Sequence, residues 1–403
     1  MTKSADAIEA LSRDNSEARM ASVVDSAMKD EWRVEEMTRL AEVLARSGTV
    51  LTFGKDVAAA DVASTGGPAS LSTLLCPLYL RHLGFVVPKL GVPGRPAGGI
   101  DVLAQVAGYQ VMLDAAASRA VIKQCGYAHF LAGPEFAPLD AKLFAYRQNV
   151  GAQNVPALAV ASILAKKIAC GLTHAGLDVR VAAHGNFGAD FSAARAAAKA
   201  FCMAADTAGI PAVAGLSDAR TPYQPYIGRG ESLLAVRLLI EARADPWLAE
   251  HADRCRLLAA HVGALDGRIG LAVDDVAEPF FANIVAQGGT AQRFYEKTDA
   301  VEKSPRSALT AEREGFLSLD MSTLRSVFVE ANAVGSDDAR FPDRLGLILR
   351  SKPGAYVRRG DSLAAGRAEN NEVWGRFRAG LMKCFLPLDL MDYAAGMEEL
   401  VHA

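Results

Sequence analysis

Short apolar runs of strand length alternate with segments long enough for helices through the first half of this chain, and that alternation constrains its fold more than any other feature. Asp61–Ala63, Phe85–Val87, Tyr127–Leu131, Asp178–Ala183 and Ile210–Leu216 read as strands. Between them, Leu74–Leu83, Ile100–Val106 and the Ala-rich Ser192–Ala208 read as helices, and Leu143–Gly171 is helical throughout, with Pro156 as a first-turn residue or a break between two helices. Strands separated by helices of this length join through right-handed crossovers into a mostly parallel sheet. Upstream, Trp32, Met37, Leu40 and Leu44 recur at helical spacing and Gly48 closes the pattern, whereas the first twenty or so residues are polar enough to predict fraying or a loosely packed helix. Beyond Ser322 the texture changes to short strands and Gly/Pro turns (VFVEANAVG, then RLGLILRSKPGAYVRRGDSLAAGRA), as in a β-rich appended unit.

Composition narrows the function. Lys and Arg total 43 against 46 Asp and Glu, a formal net charge of −3, which supplies no basic field for nucleic acid. The longest apolar stretch, Val155–Ala165, is far short of the roughly 20 residues that span a bilayer. The N-terminal segment has no apolar signal core, so a cytoplasmic location is expected. Cys76, Cys125, Cys170, Cys202, Cys255 and Cys384 form no CxxC pair, and the seven histidines form no HxxxH or HExxH pair, so no metal site is predicted.

Two segments carry candidate chemistry. In Asp61-Val-Ala-Ser-Thr-Gly-Gly-Pro-Ala-Ser-Leu-Ser-Thr73, adjacent glycines allow close backbone approach and the hydroxyls stand at a helix start, a combination suited to a phosphate or carboxylate. The same residues also fit a tight strand–helix turn with capping hydroxyls. In the second, Ser162 and Lys166 stand at i and i+4 on one face of an otherwise apolar helix, with Arg147 upstream. That trio fits either a polar cleft that donates to carbonyl oxygens or a solvated face with Lys166–Lys167 as helix-dipole partners. Asp101 is as apt to cap the following helix as to bind a ligand, and His129 and His184 are weak candidates for a cleft.

Taken in order, DVASTGGPASLS, VVPKLGVPGRPAGGIDVLAQVAGY, PLDAKLFAYRQNVGAQNVPALAVASILAKKIACGL, GIPAVAGLSDARTPYQPYIGRGESLLAVRLL and FFANIVAQGG resemble the thymidine/pyrimidine-nucleoside phosphorylases. The resemblance runs from about Glu35 to Gly366 and includes the β-rich tail. It implies an α/β fold with a small helical domain (1–58 and 142–175), a large mixed α/β domain with a mostly parallel sheet (59–141 and 176–320), and a C-terminal β-rich subdomain (321–403). It further implies a homodimer formed through the helical domain and a ligand cleft between the domains. Arg147 and Lys166 would hold pyrimidine carbonyls and Ser162 the ring N–H, so that charge building on the departing base meets positioned donors. Ser64, Thr65, Gly66, Gly67, Ser72, Thr73 and Arg95 would form the anion side, with phosphate as co-substrate.

The anion side departs from the family. The Lys-His that precedes Ser-Thr-Gly-Gly there is Val62-Ala63 here, Gly-Asp after that loop is Ala69-Ser70, and His-Thr-Gly-Gly-Thr is Pro96-Ala97-Gly98-Gly99-Ile100. Arg95 is the obvious replacement cation. Phosphate held through Arg95, another anionic co-substrate, and a substrate carrying its own phosphate all fit. GRPAGGIDVLAQV is also similar to the anthranilate phosphoribosyltransferases, which would require Mg²⁺, but HGNFGADF lacks their Asp-Glu pair. The expected activity is therefore reversible phosphorolysis, or related glycosyl transfer, at a pyrimidine N-glycosidic bond. The alternatives are a phosphoribosyltransferase acting on an aromatic or heterocyclic acceptor, and a catalytically silent nucleoside-binding relative.

Overall fold

The structure, a computed structural model, describes residues 2–94, 96–183, 185, 187–333 and 340–392. Arg95 and His184 lie outside the described residues. The chain opens with helices α1 (Lys3–Arg13), α2 (Glu17–Lys29) and α3 (Val34–Ala45). It then alternates through β1 (Ala60–Ser64), α4 (Ser72–His82), β2 (Val87–Gly91), α5 (Gly99–Leu103), α6 (Ala115–Cys125), β3 (Tyr127–Leu131), α7 (Pro138–Asn149), α8 (Pro156–Ala169), β4 (His174–Val181), α9 (Phe191–Thr207) and β5 (Ala212–Asp218). After β6 (Tyr226–Ile227) come α10 (Arg229–Ile240), α11 (Pro246–Ala264), α12 (Ala277–Ala286) and α13 (Ala291–Lys303). The C-terminal part comprises β7 (Ser307–Thr310), β8 (Gly315–Leu319), α14 (Met321–Ala333), β9 (Leu345–Leu349), β10 (Tyr356–Val357), β11 (Ser362–Ala368), α15 (Asn371–Cys384) and β12 (Phe385–Leu388). No helix among the described residues is long and apolar enough to cross a membrane.

The sheet is parallel, as the alternation requires. β4 lies between β1 and β5, with Ala60 opposite His174, Ser64 opposite Asp178 and Ala175 opposite Ala212. β2 pairs in parallel with β3, and a single parallel bridge, Ala59–Val86, joins the two groups into the order β3-β2-β1-β4-β5. The C-terminal strands are antiparallel, in the orders β6-β9-β11-β7 and β10-β8-β12.

Strand period divides the faces of this sheet. Ala175, Leu177, Val179 and Val181 of β4 share a core with α3, α8 and α9. Leu40, Leu44 and Leu164 are fully buried there, each contributing about 1.5–3 kcal/mol over an exposed position. On the other face Val62 packs with residues of α4, α10 and α11. Pro156 does both things foreseen for it: it ends the connection from α7 and occupies the first turn of α8.

Two expectations need correction. The N-terminal residues are not frayed; Thr2 caps α1, and Ile8, Leu11 and Val23 are fully buried against α3 and its neighbours. VFVEANAVG is not a strand: as far as Ala333 it lies in α14, and its remainder falls outside the described residues. β-Branched and aromatic residues suggested a strand, but Leu324 and Phe328, spaced i and i+4, are both buried, and Phe328 meets Phe377 of α15 at a ring separation of 4.9 Å. Tertiary packing overrides the local preference.

The C-terminal part is fastened to α10 by a buried ion cluster. Fully buried Glu231 receives Arg367 at 2.9 Å through both Nε and a terminal nitrogen, and Arg306 at 2.9 Å. A Cβ on Gly346 of β9 would fall on the Glu231 carboxylate. Gly346→Ala is therefore expected to cost about 3 kcal/mol, by overpacking and by displacing a paired charge. Urea unfolding followed by tryptophan fluorescence checks this, and an unchanged midpoint would contradict it.

Candidate active site

The loop after β1 forms as its residue types dictate. Gly66 and Gly67 have φ values of 94° and 114°, a region that L side chains avoid. The Gly66 N–H points back to Ser64 Oγ at 3.2 Å, and no atom would lie within 4 Å of a Cβ on Gly66, so that side of the loop is open. Thr65 is turned inward, its Oγ1 accepting from the Arg180 N–H at 2.9 Å. Ser72, at the start of α4, is consumed internally as well: its hydroxyl donates to Asp178 at 2.6 Å and accepts from Arg180 at 3.1 Å. Thr73 is half-buried and makes no side-chain hydrogen bond among the described residues. The Gly66 N–H is taken by Ser64, and at the start of α4 the Ser72 N–H is taken by Ser70 and the Leu74 and Leu75 N–H by the Leu71 carbonyl, so the Gly67 and Thr73 N–H groups and the hydroxyls of Ser64 and Thr73 remain for an anion.

Arg180 is the cation that the fold brings to this loop. Its guanidinium donates to the Gly67 carbonyl at 2.9 Å, to Ser72 Oγ, and to Asp178 at 3.0 Å. Sequence reasoning missed it, although the Asp-x-Arg spacing in a strand places Asp178 and Arg180 on one face.

The glycine loop before α5 is closed on an internal carboxylate. Asp101 accepts from Gly94 N at 3.0 Å and Gly98 N at 2.9 Å, and from Arg229 at 2.9 Å. Burial outweighs these partners and raises its pKa. Of the two roles open to it, Asp101 takes the cap. His129 is buried within β3, its Nδ1 2.9 Å from Tyr127 OH, and burial followed by the nearby Lys89 charge keeps the ring neutral, well below its usual pKa.

On α8, Lys166 Nζ donates to Ser162 Oγ at 3.0 Å, to the Ser162 carbonyl at 2.9 Å, and to the Asp140 carboxylate of α7. The other Asp140 oxygen is buried and has no partner among the described residues, which leaves an acceptor beside an ammonium and a hydroxyl. Arg147 stands apart from this pair. Its guanidinium is buried and donates to the carbonyls of Ala152 at 3.2 Å, Gln153 at 2.6 Å and Leu158 at 3.2 Å, and burial lowers its pKa to about 10. In this conformation Arg147 fastens the α7–α8 connection, and Ser162, Lys166 and Asp140 form the polar cluster.

A second group lies beneath both segments. Asp61, at the start of β1, receives Lys89 of β2 at 2.6 Å and Lys167 of α8 in a direct ion pair, and Lys89 also donates to the Val62 carbonyl at 2.7 Å. All three side chains are buried. Burial works against the Asp61 carboxylate, but Lys167 and Lys89 outweigh it and its pKa falls. Burial pulls the Lys89 ammonium down, with Asp61 opposing. A lysine inside the apolar run Phe85–Leu90 was the available signal in the sequence. This group ties α8 to β1, and a strand rise of about 3.3 Å per residue sets Ser64 roughly 10 Å along from Asp61.

No protein-family model matches the chain. It is 34% identical over 233 residues to a thymidine phosphorylase of Agrobacterium fabrum, a match covering 56% of this chain and 52% of that protein, so it spans about half the length of that relative. It is 27% identical over 350 residues to a thymidine phosphorylase of Sinorhizobium fredii, covering 82% and 79%. It is 25% identical over 357 residues to a pyrimidine-nucleoside phosphorylase of Geobacillus stearothermophilus, covering 84% and 81%. Among solved structures, an anthranilate phosphoribosyltransferase of Thermus thermophilus superimposes with a TM-score of 0.52 at 16% identity, over 74% of this chain and 94% of that one. The likeness read in the sequence is therefore a real one: the chain is homologous to proteins of the thymidine and pyrimidine-nucleoside phosphorylase names. Its α/β fold is of the kind seen in that phosphoribosyltransferase.

Proposed function

We propose that the chain is a pentosyltransferase of the pyrimidine-nucleoside phosphorylase type, which makes or breaks a pyrimidine N-glycosidic bond against an anionic co-substrate. The observation that carries this reading is the Ser162–Lys166–Asp140 cluster, with its unpartnered carboxylate oxygen, on a helix tied through Lys167 and Asp61 to the strand that leads into the glycine loop. A pyrimidine ring offers a carbonyl oxygen to Lys166 and its ring N–H to Ser162. As the glycosidic bond lengthens, negative charge collects on the base, and a fixed ammonium stabilises it more than it stabilises the ground state. On the anion side, Ser64, Thr73 and the Gly67 N–H are the donors in this reading, with Arg180 holding the loop and Arg95 as a further cation.

Calorimetric titration with uracil, thymine, uridine and thymidine, with and without phosphate, is the test. Binding of a pyrimidine that phosphate strengthens or converts to products is expected. No binding of any of the four would sink the reading. Mg²⁺-dependent binding of phosphoribosyl pyrophosphate in its place would favour the phosphoribosyltransferase suggested by the shared fold. A homodimer through the helical domain (1–58 and 142–175) and a cytoplasmic location belong to the same reading, and sedimentation velocity tests the dimer.

A further inference from the structure

Three strands of the parallel sheet end side by side, at Ser64 of β1, Gly91 of β2 and Leu131 of β3, the edge at which open α/β sheets take their ligands. His129 lies two residues short of that edge. Its ring reaches the gap between β2, α5 and the first turn of α4: a Cβ on Gly91 would fall 2.8 Å from Nε2, and one on Gly99 would fall 2.4 Å from Cε1 and 3.2 Å from Nε2. The same Gly99 Cβ would fall 3.0 Å from the carbonyl oxygen of Thr73. Two glycines from separate segments thus leave the ring room that a side chain would take. Beside it stands Thr73, whose N–H and hydroxyl are among the groups left for an anion.

The neighbours of the ring assign its proton. Nδ1 is 2.9 Å from Tyr127 OH, and that buried hydroxyl has no other partner among the described residues. A buried phenol needs an acceptor, so Tyr127 donates to Nδ1 and the ring hydrogen is on Nε2. Nε2 makes no hydrogen bond among the described residues, yet it is not one of the unpartnered atoms sealed inside them, so the 1% of His129 that stays exposed includes it. The backbone of His129 is gripped on both sides by Gln287, which accepts its N–H at 2.8 Å and donates to its carbonyl at 2.9 Å, so the ring sits on a fixed base. An acceptor faces the same point. Pro77 has no N–H to give the Thr73 carbonyl four residues before it in α4. The Nε2–H and this carbonyl therefore border the bare side of Gly99 as a donor and an acceptor for one ligand.

We propose that His129 contacts the anionic co-substrate, its Nε2–H donating to an oxygen of monohydrogen phosphate while the P–OH of that ion donates to the Thr73 carbonyl. The inference deepens the proposed function, since it rests on an anion bound at the glycine loop, but it is independent of the role given to Lys166. It also sets specificity: sulfate carries no proton near neutral pH and leaves the Thr73 carbonyl unpaired, a loss that a site built for a hydroxyl penalises heavily. With histidine labelled in ¹⁵N, the His129 Nε2–H resonance should be present in the free protein and shift saturably with inorganic phosphate, and sulfate should bind about tenfold more weakly or worse. His129→Phe should weaken phosphate by about tenfold or more, whereas His129→Gln, which keeps an N–H at similar reach, should retain most of the affinity. Should the phenylalanine variant fail to fold, Gly91→Ala sets a methyl group against Nε2 with the histidine in place and should weaken phosphate likewise. A silent His129, equal binding of sulfate, or phosphate affinity unchanged in the folded variant would each overturn the proposal. Thymine titrated alongside separates the two readings. Thymine binding with a silent His129 overturns this contact and leaves the proposed activity standing, and a His129 shift without binding of any pyrimidine does the reverse.

Discussion

Lys166→Ala is expected to lower kcat/KM for phosphorolysis of a pyrimidine nucleoside by about 10²–10³-fold, the usual cost of removing one donor aimed at developing charge. The same change strands the Asp140 carboxylate, which is buried and whose second oxygen already lacks a partner. Removing one member of a buried pair costs about 3 kcal/mol, so the variant is also expected to unfold at lower denaturant. Adding Asp140→Asn separates the two effects, because a neutral amide needs no counter-charge. The double variant is expected to regain most of the stability and none of the activity. Urea midpoints read alongside steady-state kinetics check both halves. Activity that returned with stability would show that Lys166 serves only to balance Asp140.

Asp61→Asn is expected to be the most destabilising single change, by about 3–5 kcal/mol at neutral pH, because it leaves the Lys89 and Lys167 ammonium groups buried without a counter-charge. Its pH dependence is distinctive. The folded pKa of Asp61 lies below that of the unfolded chain, so the unfolded state binds more protons between the two values. The Asp61 contribution is therefore complete above about pH 4 and is lost as the pH falls through the folded value. Asp61→Asn should lack that acid-limb loss. The folded pKa of Lys89 is also depressed, so stability should rise with pH on approaching the ordinary lysine range, and more steeply in the variant because the carboxylate no longer opposes deprotonation. Guanidinium unfolding from pH 3 to 10 measures both limbs. Parallel pH profiles for the wild type and the variant would contradict this account.

Much of the fold was legible because it rests on local patterns. Tyr127–Leu131 is bounded as its sequence reads, and Pro156 announces the start of α8. Phe85–Val87 correctly signals a strand, but its pairing begins only at Val86, with the Ala59 bridge, and the ladder with β3 at Val87, while Phe85 packs in the core. α14 was misread because the residues that favour a strand also suit the buried face of a helix, and only α15 decides between them. In the candidate site, the i, i+4 spacing of Ser162 and Lys166 predicts their contact, whereas nothing in the spacing of Arg147 reveals that backbone carbonyls five to eleven residues downstream occupy its guanidinium.

The Val62-Ala63 pair shows the limit of reading along the chain. In sequence a cation is missing ahead of the glycine loop; in space the Lys89 ammonium, from a neighbouring strand, donates to the Val62 carbonyl itself, and Arg180, from another, holds Gly67 and Ser72. The sequence by itself determined the order of strands and helices, the parallel sheet, the glycine loop and the helix face that carries Ser162 and Lys166, because hydrophobic period and turn chemistry act over a few residues. The tertiary structure alone decided which charges meet. Asp61 with Lys89 and Lys167, Asp178 and Arg180 with Ser72, and Asp140 with Lys166 are pairings across strands and helices, set by strand order and packing rather than by separation along the chain.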